Sequence, residues 1–538
     1  MAKRSWRGRA VAVLVAASLG LAACSDSDEP TSGAGGGQTT LTIAAPGVLS
    51  SLDSERYQGF ISIDLLPNIA GTLVRFKKPE AGATKLQTPD QLEPELAESW
   101  TLSEDRKKIS FKLRDAKSQF GNVITSEDVK WSVERMVNSK GVPIAKILMG
   151  IGGWDIEKPI TVTDDKNFVI NVARPNAVSV SILSTFFMTI YDSVEAKKHA
   201  TADDPYAYKW LEANSASFGP YQVKSFDPGK EVRLSANPNY FRDAPKVKEV
   251  VVRAVADASN RLQLAQSGQV DVATSMSFDQ LTALQKNADV RLERVLYPNI
   301  DVLVPNLKSK PFDDKRVRQA IAHALDRKAI VDSAYQGFAA ASADFIHDDF
   351  GAPAGEPAMT HNLDRAKQLL AEAGLPNGFP MELAYNAANV GAHSEQVAVQ
   401  IRSQLAKVGI EVKLNNVASG ADFDAAKREG KLQSWLATST PLIPDPAYYL
   451  QVFYSTGGLT NLQNYSSPTV DDLSRKILET QPGAEREALV KQVNDFMLSD
   501  MPAVPLVDSQ KYYVFKKNVT GFVSHAQGHV NYYDISIS

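Results

Sequence analysis

A chain of 538 residues is too long for one compact core, so two or three domains are expected. Its 58 basic and 62 acidic residues give a formal charge of −4 without a basic stripe, which argues against a nucleic-acid binder. A single cysteine excludes intrachain disulfides, so stability has to come from apolar cores, and a 43% hydrophobic fraction can supply them.

Lys3, Arg4, Arg7 and Arg9 precede an apolar run from Val11 to Leu21, and Leu21, Ala22 and Ala23 lead into Cys24, the lone cysteine. A basic flank, a short apolar run and small residues before a cut describe an export signal. The run is shorter than the ~20 apolar residues that span a bilayer. Ending on cysteine, it resembles the signal peptide of a bacterial lipoprotein. Residues 1–23 are then a lipoprotein signal peptide, and Cys24 carries the lipid through a thioether. Residues 24–40 are rich in Gly, Ser and acid and form a lipidated flexible tether, with its ends on the order of 20 Å apart. Gly33–Gly37 is no phosphate loop, because no Lys-Ser/Thr follows it and no strand precedes it.

Order begins with a strand at Leu41–Ala45. Thr125 with Asp128 gives a capping box, and Val129, Val133, Met136 and Val137 form the inner face of the helix that follows. Ile160–Val162 and Phe168–Val172, joined by Asp164–Asn167, predict a hairpin. Val317, Ile321, Ala324 and Leu325 lie on one stripe of a helix over Asp314–Ala334. Asn362 caps a helix over Leu363–Ala373, which Gly374 and Pro376 stop. An amphipathic helix over Gln396–Val408 leads through Gly409 to a strand at Ile410–Leu414. Strands interleaved with helices make this an α/β chain.

Eight segments carry a resemblance. They are PELAESW from Pro94, TSEDVKW from Thr125, FGPY from Phe218 and NPNY from Asn237. Next come LAQSGQVDV from Leu264, PFDDKRVRQA from Pro311, AKQLLAEAGLPNGF from Ala366 and YSSPTVDDL from Tyr465. In this order they resemble the solute-binding proteins of oligopeptide, dipeptide and nickel ABC importers, extracellular solute-binding protein family 5. Each also has a plain structural role as a cap, turn or helix stop, so the segments attest a fold more than a chemistry.

The resemblance implies a two-lobed periplasmic-binding-protein-like α/β fold (type II, cluster C) with an extra domain inserted in lobe I. Lobe I is assembled from residues 41–75, 218–305 and 505–538, the inserted domain is 76–217, and lobe II is 306–504. Hinge strands near 305 and 505 let the lobes close over a solute. The implied function is that of an extracytoplasmic substrate-binding lipoprotein of an ABC importer, not an enzyme: it captures a peptide or peptide-like solute by hinge closure and delivers it to a permease and ATPase complex. The implied state is a monomer, held at the membrane by its lipid, with no cofactor, no metal and no catalytic residue. Alternatives on the same architecture are a receptor for an opine, a sugar or another non-peptide solute, a signalling peptide receptor, and a cell-wall enzyme.

In peptide-binding relatives, an aspartate of a W-x-x-D-Y-x-D-P segment pairs with the peptide ammonium. Here Gly430–Pro446 reads GKLQSWLATSTPLIPDP. Aligned on Asp445-Pro446, Leu442 stands at that aspartate and Ser439 at the tryptophan; aligned on Trp435, Thr438 stands there. Neither register supplies a carboxylate. A buried charge left without its partner costs about 3–5 kcal/mol, so a zwitterionic peptide held in this way is disfavoured. The solute lacks that amine, or another acid such as Glu395 or Asp424 takes it.

Candidate cleft residues are Trp435 on a strand face shared with Gln433 and Ala437, Thr438 and Ser439 beyond it, Tyr57 after the first strand, and Tyr385 and Asn386 at the end of another strand. Phe186 and Phe187 are assigned to the core. The seven histidines show no H-E-x-x-H spacing, which argues against a metal site. The chain also lacks a Gly-x-Ser-x-Gly elbow and a Walker loop.

Overall fold

The structure, a computed structural model, describes residues 39–56, 60–80, 83, 85–139, 143–342, 344–347, 350 and 359–538. Cys24, residues 1–23, most of the 24–40 tether and Tyr57 lie outside the described residues.

One mixed sheet of eleven strands organises the body. On one side, Thr40–Ala45 runs parallel to Glu249–Ala254 and Val272–Thr274; Glu231–Ala236 and Tyr221–Asp227 continue outward as antiparallel strands. On the other side, Pro380–Tyr385 runs parallel to Glu411–Asn416 and Ser434–Ser439. Two long strands join these halves: Val290–Pro305, of 16 residues, and Val504–Lys516, of 13, paired antiparallel. The far half of Val290–Pro305 pairs with Ser434–Ser439, and the far half of Val504–Lys516 pairs with Val272–Thr274.

The ladder between the crossing strands is interrupted. Val295 pairs with Lys511 and the register resumes only at Asn299 opposite Ser509. Pro298 lies in the gap and has no N–H to give the ladder. Leu296 N–H turns instead to the Ser524 hydroxyl, 2.6 Å away. Gly528, with φ +71°, lets the C-terminal segment lie against the Tyr297 ring, where a Cβ would come within 2.7 Å.

A separate four-stranded antiparallel sheet contains Ala97–Leu102, Lys108–Leu113, Ile160–Val162 and Asn167–Asn171. Its last two strands are the hairpin expected from the Asp164–Asn167 turn, in which Asp164 Oδ1 accepts from the Lys166 and Asn167 amides. The capping box at Thr125 is present, with Asp128 Oδ2 accepting from Thr125 N at 2.8 Å, and it starts the helix Ser126–Val137. Asn362 caps Leu363–Glu372 through Arg365 N, and Gly374 follows at φ +80°.

The helix expected over Asp314–Ala334 is divided. It runs over Lys315–Ala324; Leu325 is extended, and Asp326 caps a new turn, Arg327–Ile330, by accepting from Ala329 N. Val331–Tyr335 follows as a π-helical turn. The apolar stripe continues through Leu325, but a capping aspartate there offers the backbone a competing partner. Phe186 and Phe187 are buried, as expected.

Candidate functional site

A cavity of about 1130 Å³ lies beyond the carboxyl ends of parallel strands from both halves of the sheet. From the first half come Ala45–Val48 and Thr274–Phe278; from the second come His393 and Thr438–Thr440. The crossing strands contribute Asn299 and Ser509–Tyr513, and the helix Ile144–Ile151 closes one side with Ile144, Ile147, Leu148 and Ile151. The wall is chiefly apolar with a few polar groups, the composition of a small-molecule site.

Trp435, Thr438 and Ser439 all line this cavity. Trp435 is only 3% exposed and opposes Val304 on the crossing strand, so it is both core and wall. Thr438 donates to Asp301 Oδ1 at 2.5 Å, and Tyr335 donates to Asp301 Oδ2 at 2.7 Å. Burial pushes Asp301 up to about 6, against the hydrogen bonds from Thr438, Tyr335 and Ser509 and with Asp508 adding. Thr440 donates to Asn299 Oδ1 at 2.6 Å. Leu442 also faces the cavity, so both alignments of this strand leave its wall without a carboxylate.

Tyr385 and Asn386 are buried outside the cavity wall. Asn386 is committed to its own loop, donating to the carbonyls of Val417 and Ala418. Of the two alternative acids, Glu395 is exposed and off the wall. Asp424 is on it but ion-paired to Lys427 at 2.6 Å.

Three wall groups escaped sequence reasoning. His393 is half-buried and packs on Phe278 and Tyr335, with ring centroids 4.8 and 4.4 Å away, and desolvation lowers it to about 4. Asp64 accepts from Lys511 Nζ at 2.6 Å and from the Tyr513 hydroxyl. Glu55 follows Asp53 in the loop after the first strand. The rule that ligands gather at strand ends points to the loops of Glu55 and His393 without naming a residue, and Asp64, inside the helix Phe60–Ile69, had no such signal.

The family model for bacterial extracellular solute-binding proteins, family 5, matches residues 91–461. The chain belongs to that family. The dipeptide-binding protein of Escherichia coli K12 is 26% identical over 469 residues, 82% of this chain and 86% of that protein. Heme-binding protein A of Haemophilus influenzae is 25% identical, covering 86% of each chain. Among solved structures, a protein from A. tumefaciens R10 in complex with agropinic acid is 27% identical, with a TM-score of 0.78, over 93% of this chain and 99% of that one. A Helicobacter pylori periplasmic binding protein in complex with the peptide STSA shares the fold at a TM-score of 0.80 and 23% identity, covering 93% and 98%. The fold of this family 5 protein is thus the two-lobed α/β fold of the periplasmic binding proteins. Among its described residues no group of three or more His, Cys, Asp or Glu side chains is placed to hold a metal ion, and no helix is long and apolar enough to cross a membrane.

Proposed function

We propose that this solute-binding protein captures a peptide or peptide-like solute in the cavity and delivers it to the permease and ATPase of an ABC importer. It acts by reversible binding, without turnover, as a monomer anchored through a lipid on Cys24. The observation that carries this reading is the cavity itself, walled by strand ends from both halves of one sheet that, among the described residues, two strands join. Lobe I is taken as 41–75, 218–305 and 505–538, lobe II as 306–504, and the inserted domain as 76–217; the separate four-stranded sheet supports the insertion. The break between Val295 and Asn299 is the longer of two register shifts in the crossing pair, the other lying between Asp301 and Val302, and we assign the hinge to it.

A ligand closes the halves only by binding the closed form more tightly than the open one. Contacts that bridge the cavity rim define that form. Ala177 N donates to Leu478 O at 2.8 Å, Gln336 donates to Asp279, and Phe278 packs on Tyr335 and Phe338. The relative bound to agropinic acid favours a second reading, an opine-like solute.

A thermal-shift screen of residues 25–538 against peptides, amines, opines and oligosaccharides tests the proposal. A true solute at 100 times its Kd adds about 2.7 kcal/mol of stability. No stabilisation by any class would contradict it.

A further inference from the structure

Glu55 lines the cavity yet is only 5% exposed, and neither of its carboxyl oxygens makes a well-formed hydrogen bond, the Ser139 hydroxyl being the one uncharged polar group near enough to act on them. The other carboxylates on the described wall are matched, Asp64 by Lys511 and Tyr513, Asp424 by Lys427. The nearby guanidinium, Arg135 of the helix Ser126–Val137, gives its Nη2 to Asp53, while its buried Nη1 has no partner and makes no hydrogen bond to Glu55. Its Nη2 lies 2.7 Å from Asp53 Oδ2 with both side chains fully buried, and the rings of Tyr208 and Tyr191 stand 4.2 and 5.0 Å from its central carbon. Glu55 N–H donates to the other Asp53 oxygen, so the loop is tied to this ion pair and the Glu55 position is fixed.

A buried carboxyl without a partner is unfavourable, and the empty protein relieves the cost by keeping the proton. Burial pushes Glu55 up to about 8; Arg135 and the Ser139 hydroxyl oppose this, and Asp53 adds to it. A group held so firmly at the wall, and left unsatisfied by the protein, is completed by a partner from the cavity.

We propose that Glu55 receives a cationic group of the captured solute, an ammonium or guanidinium. This rests on the solute-capture reading above. The solute arrives already charged, the neutral carboxyl gives its proton to the buffer, and a charge-assisted hydrogen bond forms between carboxylate and cation. Capture at neutral pH therefore releases up to one proton per solute. The cation is seated from the first half of the sheet, opposite the strand where Leu442 and Thr438 offer no acid.

The test uses the mature chain and two sets of tripeptides free of Lys, Arg and His, one with free amines and one N-acetylated. Thermal shift ranks both sets, and titration calorimetry of the best member in phosphate and in Tris counts protons. Free-amine peptides should bind at least about tenfold more tightly than their acetylated forms, the equivalent of one pKa unit of differential interaction, with proton release. Glu55→Gln should abolish both the preference and the release, while melting no lower than the wild type without ligand. Equal binding of the two sets to the wild type, or discrimination retained in Glu55→Gln, would overturn the assignment and leave solute capture standing. A lower melting temperature of ligand-free Glu55→Gln would overturn it too, making Glu55 a structural partner of Arg135. Binding by neither set would refute capture of such peptides, and the comparison is then made with the best amine or opine of the thermal screen, where equal affinity for the wild type and Glu55→Gln would overturn the role of Glu55.

Discussion

Burial sets the titration of the site residues, and the sign of each effect on stability follows. Glu55 and Asp301 hold protons in the folded state that the unfolded chain has lost, so their contribution is complete at low pH and fades as pH rises towards about 8 and about 6 respectively. His393, half-buried and lowered by desolvation to about 4, contributes above about 6.5 and fades as pH falls. Burial also holds His529 well below its ordinary value, with His525 and Lys511 adding, so it acts in the same direction as His393. Between about pH 6.5 and 8 Glu55 alone of these four groups still titrates. The melting temperature of the wild type should fall across that interval, and the fall should flatten in Glu55→Gln. A flat wild-type curve would contradict a protonated Glu55. Trp435→Ala removes a side chain that is core as well as wall, and a loss of about 3–5 kcal/mol in chemical denaturation is expected. A loss below about 1 kcal/mol would show that the site collapses around the smaller residue. Trp435, Thr438 and Ser439 were legible because strand alternation and the strand-end rule select them. Glu55 was not, because an acid in a polar loop reads as solvated until the fold buries it.

At the scale of elements, Asp445 shows how a sequence pair becomes structure. Its Oδ1 accepts from Ala447 N and Tyr448 N at 2.9 and 3.0 Å and caps the helix Pro446–Phe453, where Pro446 fits the first turn. Its Oδ2 takes Arg486 Nη2 at 2.6 Å, with Asp445 fully buried. Asp445→Ala removes the cap and strands a largely buried guanidinium, which costs about 3–5 kcal/mol. Because the helix carries Tyr448 into the cavity wall, binding should weaken as well. Denaturation curves that superimpose on the wild type would contradict this account. Caps and turns of this kind, at Thr125, Asn362 and Asp164, were readable because their partners lie within a few residues. The division of the helix after Ala324 was not, because a continuous apolar stripe hides the competing cap at Asp326.

At the scale of the molecule, the proposed closure makes two crossing strands and a handful of rim contacts the elements that would set the balance between open and closed forms. The resemblance carried the two-lobed architecture, but local periodicity cannot show where the crossing ladder breaks, since that depends on Pro298 meeting a long-range partner strand. Gln336 bonds Asp279 and Thr282 across the rim. Gln336→Ala should raise the apparent Kd severalfold by lowering the population of the closed form, without altering the cavity wall; an unchanged Kd would remove Gln336 from the closure. The most direct measurement is small-angle X-ray scattering of the mature chain, alone and saturated with the best solute from the thermal screen. The account predicts a smaller radius of gyration on saturation. Saturated binding with no change in radius would contradict closure about the Val295–Asn299 break.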